Sequence, residues 1–275
     1  MTEILPRPQQ ALTDGVLHDD LVAIRRHLHR NPELGFEEFE TAAFIRKTLA
    51  DQGFTPISVA ETGTYVDIKG NRPGPLVGYR ADIDALPIQD QKHTPYASQT
   101  PGIAHLCGHD AHTAVGLGVA RLLDARRNEI EGTIRVFFQP NEEGTPSGAP
   151  RMIAEGVLDD MVTVFGIHVD PATELGRYGL ITGPATASTD RFDLTVRSES
   201  TGHSARPHEV TDTIFVAATL LSQIYALAGR RTDARRAAVF TACRISSSST
   251  AYNVIPREAT IGGTLRCVDM EMRET

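Results

Sequence analysis

Residues 105–114 read HLCGHDAHTA, placing three histidines, a cysteine and an aspartate within eight positions beside a glycine. Thiolate and imidazole are the donors that zinc and similar divalent ions take. Cys107 and His109 stand two apart ahead of a predicted helix, and in an extended segment alternate side chains share one side. Further donors follow the same plan. RADIDALP carries Asp82 and Asp84 at the end of a predicted strand, QPNEEG carries adjacent Glu142 and Glu143 after the next, and the strand after that ends with His168. Open α/β sheets bind ligands at the carboxyl ends of their strands, so these donors belong to one edge.

Adjacent glutamates diverge, so one can bind a metal while the other takes a proton from water. A metal ion lowers the pKa of bound water from about 15.7 to about 7, and a positioned base adds on the order of 10²–10⁴ in rate. Spacing alone does not assign the two roles. Taken singly, each feature has an ordinary explanation: cysteine packs in cores, EEG after a strand is a solvated turn, Asp110 can cap the following helix, and His105 and His112 read as supporting or surface residues. Their joint placement favours a site. The rival chemistry is Cys107 as a nucleophile activated by a helix N-terminus and a histidine base. That reading leaves Glu142, Glu143 and His168 without a purpose. No zinc-finger spacing, P-loop or G-x-S-x-G elbow occurs.

The elements that must position these groups follow from periodicity. Leu17, Leu21, Ile24 and Leu28, then Phe39, Ala42, Ile45 and Leu49, recur at helical spacing. Strands are expected at 64–70 and 75–82, a helix at 111–127 with Arg126 and Arg127 in its last turn, and fully buried strands at 132–140 and 162–169. The small, polar stretch 182–190 suits a hinge, dividing the chain into a catalytic domain (1–186) and a second domain (187–275). In the second, strand 191–197 is followed by a helix at 211–228 with Gly229 just past its end. Strands 237–245 and 258–267, with SSSS (246–249) as a loop between them, then lead into the first turn of another helix. This β-α-β-β-α order is a split β-α-β unit of the ferredoxin-like kind that wants one more strand.

The 275 residues carry a formal charge of −8, which argues against nucleic-acid or anionic-membrane surfaces, and no run approaching a membrane span stands out. Three cysteines and no basic-then-apolar start suggest a soluble, cytoplasmic protein.

RRHLHRNPELGFEE (25–38), RADIDALP (80–87), HLCGHDAHT (105–113), FFQPNEEG (137–144), GIHVDP (166–171), GHSARPH (202–208), NVIP (253–256) and GTLR (263–266) occur in order. Together they resemble the amidohydrolase branch of the aminoacylase and carboxypeptidase G metallopeptidase family. That branch includes hippurate hydrolases, N-acyl-amino-acid hydrolases and auxin-conjugate hydrolases. The resemblance implies an α/β fold, a zinc-exopeptidase-like catalytic domain with a mixed sheet and flanking helices, plus an α+β ferredoxin-like lid that also dimerises. It implies two divalent ions (zinc, manganese, nickel or cobalt) and hydrolysis of an N-acyl amino acid at its amide bond.

Carried over by position, Cys107, His109, Glu143 and His168 resemble metal ligands, Glu142 the general base, and Asp84 a residue that orients a ligand. His203 resembles the residue that stabilises the oxyanion, often across the dimer, and Asn253 a lid residue that contacts substrate. Family members continue beyond the equivalent of residue 275 with a segment that completes the lid and supplies a further histidine. The expectation is therefore a truncated lid and a second metal position short of a ligand. A catalytically incomplete product that binds metal or a partner without turnover is the alternative reading.

Overall fold

A computed structural model of the chain describes residues 3–5, 15–233 and 235–274. It divides into two compact units, Arg7–Gly176 and Arg177–Thr275, the second joined by Met1–Pro6. Strand β1 (Glu3–Leu5) belongs to that second unit.

The larger unit runs α1 (Gly15–Arg30), α2 (Phe39–Asp51), β2 (Ile57–Val59), β3 (Gly63–Lys69), β4 (Arg72–Asp82), α3 (His109–Ala125), β5 (Glu131–Gln139), α4 (Gly148–Ala154) and β6 (Met161–Gly166). Its five strands form one mixed sheet in the order β2-β3-β5-β4-β6. β4 is parallel to both β5 and β6, whereas β3 is antiparallel to β5. The carboxyl ends of β5, β4 and β6 therefore share one edge. β5 is apolar on both faces because both are covered. Val136 and Phe138 pack with Ile45, Leu49, Leu117 and Ala120 from α2 and α3, while Phe137 packs with Val59, Met152 and Val157 on the other side. The mixed sheet with flanking helices expected from the sequence is what forms. Helix α3 seats closely because Gly116 meets Phe138: a Cβ there would lie 2.9 Å from the ring.

Three expectations need correction here. α3 starts at His109, not at 111, and ends before Arg126, which caps it from outside the last turn. The segment 162–169 is not a buried strand. β6 stops at Gly166, pairs with β4 alone among the described residues, and leaves Val162 67% and Phe165 61% exposed. An apolar run signals burial only where something covers its faces, and an edge strand need not have that.

The second unit contains β7 (Tyr178–Leu180), β8 (Ser188–Arg197), β9 (Gly202–His203), α5 (Thr213–Arg231), β10 (Ala238–Ser247), β11 (Val254–Ile255), β12 (Glu258–Cys267) and α6 (Met270–Glu274). β12 lies between β10 and β8 and is antiparallel to both. β8 and β10 are thus parallel with α5 as the crossover, the split β-α-β arrangement. Ala217 and Leu221 of α5 pack on Phe192, Leu194, Ala259 and Ile261 of the sheet. Asp212 caps α5, its Oδ1 accepting from the Phe215 amide at 3.0 Å. Gly229 lies inside this helix rather than past it, and Thr232 closes it by donating to the Ala228 carbonyl. By length and composition alone α5 could cross a bilayer, so a span-like run does exist. Ser246 and Ser247 continue β10, so only the end of the serine run is loop. Residues 188–190 are likewise strand, at the start of β8, and not hinge.

Phe138 has no solvent exposure and stands where α2, α3 and the sheet meet. Phe138→Ala should lower unfolding free energy by about 3–5 kcal/mol, read as a lower urea midpoint at unchanged slope.

Candidate metal centre

Asp82 closes β4 and Asp84 follows two residues later, so both point the same way, and they are 2% and 1% exposed. Asp84 joins two elements. His109 Nδ1 lies 3.2 Å from its Oδ1 and 2.8 Å from its carbonyl oxygen, and its Oδ2 accepts the Glu143 amide at 3.0 Å. Both groups facing Nδ1 are acceptors, so Nδ1 carries the proton and Nε2 presents a lone pair. That Nε2 is buried without a hydrogen-bond partner, 3.7 Å from Asp82 and 4.0 Å from Glu142. An orphaned imidazole nitrogen facing two carboxylates is the donor set of a cation site.

Cys107 and His109 do converge, though not through an extended segment. Gly108 adopts a left-handed conformation (φ 93°) and starts α3, turning the chain between them. A Cβ on Gly108 would also meet Val169 Cγ2 at 2.2 Å. His168 follows β6, and its Nδ1 donates to the Val169 carbonyl at 2.8 Å. Its Nε2 then faces Cys107 Sγ at 3.4 Å. Cys107, His109 and His168 offer donor atoms all within 4.8 Å of one another, as do His109, Glu142 and Glu143.

The glutamate pair is presented by a turn at Asn141 (φ 46°) after β5. A wholly buried carboxylate holds that turn: Glu38 accepts the Asn141 amide at 2.8 Å and the Thr62 hydroxyl at 2.7 Å.

Charge runs one way through this cluster. Burial and then the Glu143 and Glu142 carboxylates push the Cys107 thiol up to about 12. Burial and then Glu143 raise Glu142 above the ordinary carboxylate range. Burial alone would lower His109, but the Asp84 hydrogen bond and the Asp82 charge carry it above its usual value. Burial would raise Asp82, yet the His112 hydrogen bond and the His109 and Arg80 charges bring it down to about 2. A nucleophilic cysteine needs a lowered pKa, so the thiol-hydrolase reading loses its support. A bound cation reverses this logic and deprotonates a thiol outright.

Six of the eight residues singled out in the sequence, Asp84, Cys107, His109, Glu142, Glu143 and His168, meet at this sheet edge. His203 and Asn253 lie in the second unit, on the ribbon where β9 pairs with β11. The Ser204 amide donates to the Asn253 carbonyl at 3.0 Å, and His203 Nδ1 accepts the Ala205 amide at 3.1 Å. The His203 proton therefore sits on Nε2.

Sequence reasoning undervalued Asp82, His112 and His29. The i, i+3 spacing of His109 and His112, with the i, i+2 spacing of the aspartates, was the available signal. Asp110 does not cap α3. It accepts from His29 Nδ1 at 2.8 Å and from Arg25 at 3.0 Å, fastening α3 to α1. His105 is buried, with neither ring nitrogen partnered, and burial lowers its pKa to about 4.

Comparison with known proteins gives a consistent picture. Residues 78–259 match the model of peptidase family M20/M25/M40. The chain is 43% identical over 260 residues to an N-acetyl-L-cysteine deacetylase of Bacillus subtilis, covering 94% of this chain and 62% of that protein. It is 39% identical to an N-acyl-L-amino acid amidohydrolase of Geobacillus stearothermophilus, covering 93% and 69%. The structure of a dinuclear metal-binding peptidase from Bacillus subtilis superimposes with a TM-score of 0.79 at 37% identity, over 95% of this chain and 67% of that one. The chain thus spans about two thirds of the length of the relatives it matches.

Because burial and then Glu143 push the Cys107 thiol up to about 12, it must lose its proton to become a ligand. Zinc uptake should release at least one proton per chain and weaken as pH falls. Calorimetry in buffers of differing ionisation enthalpy reads the count, and Cys107→Ser should reduce it.

Proposed function

The chain belongs to peptidase family M20/M25/M40, and from that premise we propose that it is a metal-dependent amidohydrolase cleaving the amide bond of N-acyl amino acids. The observation that carries this reading is the orphaned His109 Nε2, set among Cys107, His168, Glu142 and Glu143 at one sheet edge. Its likeness to an N-acetyl-L-cysteine deacetylase and an N-acyl-L-amino acid amidohydrolase supports small N-acyl amino acids as substrates.

Cys107, His109, Glu143 and His168 are the proposed ligands of two divalent ions. Thiolate and imidazole suit zinc, cobalt or nickel, and the carboxylates admit manganese. The ions, when bound, supply an acidified water and a positive field at the scissile carbonyl. Glu142 takes the proton of the attacking water and passes it to the leaving amine nitrogen. Its raised pKa suits a group that must both accept and return that proton. Asp84 positions His109 and the Glu143 backbone together, so the ligand and the base loop are held by one carboxylate. His203 is the proposed oxyanion donor, since its Nε2 carries the proton and is exposed. Asn253, in the turn just before β11, is the proposed substrate contact. We place the enzyme in the cytoplasm, in keeping with its three free thiols, as a homodimer formed through the second unit. Exposed Phe215 and Leu227 on α5 support that last point.

Glu142→Gln should keep its full metal content while kcat on N-acetyl amino acids falls roughly 10²–10⁴-fold. Undiminished turnover would remove Glu142 from the role of base. Hydrolysis that survives exhaustive chelation would overturn the metal-dependent reading itself.

A further inference from the structure

We propose that His112 is a positioning residue of the metal centre: the lone pair on its Nε2 holds the backbone beside His168, and Asp82 fixes the tautomer that leaves that lone pair free. The inference rests on His168 being a metal ligand, as proposed above.

The argument begins with a group whose role admits no choice. The Val169 amide can only donate, and it lies 2.9 Å from His112 Nε2. That nitrogen must be unprotonated, so the ring proton is on Nδ1. Nδ1 in turn lies 2.6 Å from Asp82 Oδ1, a pure acceptor. Both ring nitrogens are thereby committed. Asp82 is itself fixed from two sides: Arg80 reaches its Oδ2 at 2.9 Å, and the Thr113 hydroxyl donates to its main-chain carbonyl at 3.0 Å. His112 is 3% exposed on α3, so the anchor is rigid and dry.

What it anchors is exposed. Residues 167–169 lie beyond the end of β6 and are exposed, Ile167 by 57% and Val169 by 42%. Val169 is the hinge of the arrangement: its amide is held by His112, and its carbonyl accepts His168 Nδ1 at 2.8 Å. One peptide-linked residue therefore carries the orientation of the His112 ring to the His168 ring. The two rings meet edge to face at 4.6 Å between centroids, and His168 Nε2 is left pointing at Cys107 Sγ.

A competing assignment makes His112 a ligand. Asp82, His109 and His112 do offer donor atoms within 4.8 Å of one another. To bind an ion through Nε2, His112 would have to release the Val169 amide, and to bind through Nδ1 it would leave the buried Asp82 Oδ1 unpaired at about 1–3 kcal/mol. His109 Nε2, by contrast, has nothing to lose. Partners that orient ligands are worth about 10–100-fold in metal affinity, and that range is the expected effect here.

The test is a cobalt(II) titration of the full chain, followed by the thiolate-to-cobalt absorption that reports Cys107. It uses wild type, His112→Leu, His112→Gln and His168→Ala. Leucine removes both hydrogen bonds at similar volume; glutamine can still accept the Val169 amide. His112→Leu should weaken the cobalt site about 10–100-fold without changing the number of ions at saturation, and His112→Gln should restore most of the loss. Unchanged affinity in His112→Leu, alongside weakened binding in His168→Ala, overturns this inference and leaves the proposed function standing. Unchanged affinity in His168→Ala overturns both. A lost ion that glutamine does not restore makes His112 a ligand. Should the leucine variant fail to fold, long-range ¹H–¹⁵N spectra of wild-type histidine side chains decide the matter. An Nδ1–H tautomer on His112 that persists when zinc is added supports the proposal, and an Nε2–H tautomer, or a zinc-induced shift of Nε2, refutes it.

Discussion

Two carboxylates buried at the end of one strand constrain everything else at this sheet edge. An ionised carboxylate removed from water costs several kcal/mol unless its lone pairs are filled by charged or well-aimed donors. Asp82 and Asp84 meet that demand with His112 and Arg80 in one case, and His109 and the Glu143 amide in the other. Those donors come from α3, from β4 itself and from the loop after β5. Satisfying the aspartates therefore docks the helix and the glutamate loop on the same spot. The loop after β6 joins through His112. The buried charge of β4 sets the place of the centre, and the apolar core beneath it sets the rigidity.

How far the sequence told this in advance depends on the distance over which each contact acts. Asp82 and Asp84 could be placed on one side of a strand, and Glu142, Glu143 and His168 at the matching strand ends, because those relations follow from a period of two and from parallel strands. The start of α3 could not. A glycine at φ 93° opens the helix, where serine, threonine or aspartate is the usual signal. Nor could the partners of Asp110 or Asn141 be read from spacing, since His29 is 81 residues away and Glu38 is 103. Gly229 reads as a stop signal by type, yet α5 runs past it to Arg231, where the Thr232 hydroxyl donates to the Ala228 carbonyl. β6 failed differently: its apolar run was read correctly as strand, but composition cannot say what covers a strand.

The electrostatics show why such a centre is incomplete as a purely protein structure. Burial and then Glu143 push the Cys107 thiol up to about 12 and raise Glu142, while the Asp84 hydrogen bond and the Asp82 charge raise His109 against the opposing effect of burial, so neighbouring negative charge is the cause all three share. The thiol and the glutamate hold their protons more tightly for it. A dication does the same work with one species and displaces those protons, which is why ligand identity and acidity are linked here. The buried His109 Nε2, without a hydrogen-bond partner beside two carboxylates, points the same way.

Four histidines then divide the labour, and the backbone decides how. His109 and His168 each present Nδ1 to a main-chain carbonyl, of Asp84 and of Val169, both at 2.8 Å. A carbonyl can only accept, so both rings carry the proton on Nδ1 and offer Nε2 as a lone pair, the form a metal requires. His112 and His203 each face a main-chain amide instead, from Val169 at 2.9 Å and from Ala205 at 3.1 Å. An amide can only donate, so the nitrogen it meets is bare and the proton is displaced to the other one. In His112 that proton goes to Asp82, which uses up the ring and leaves it to orient its neighbour. In His203 it goes to an exposed Nε2, which leaves the ring free to donate. The polarity of the peptide group each one meets thus sorts chemically identical side chains into the proposed ligands, the proposed anchor and the proposed donor, and that polarity is fixed when the chain folds.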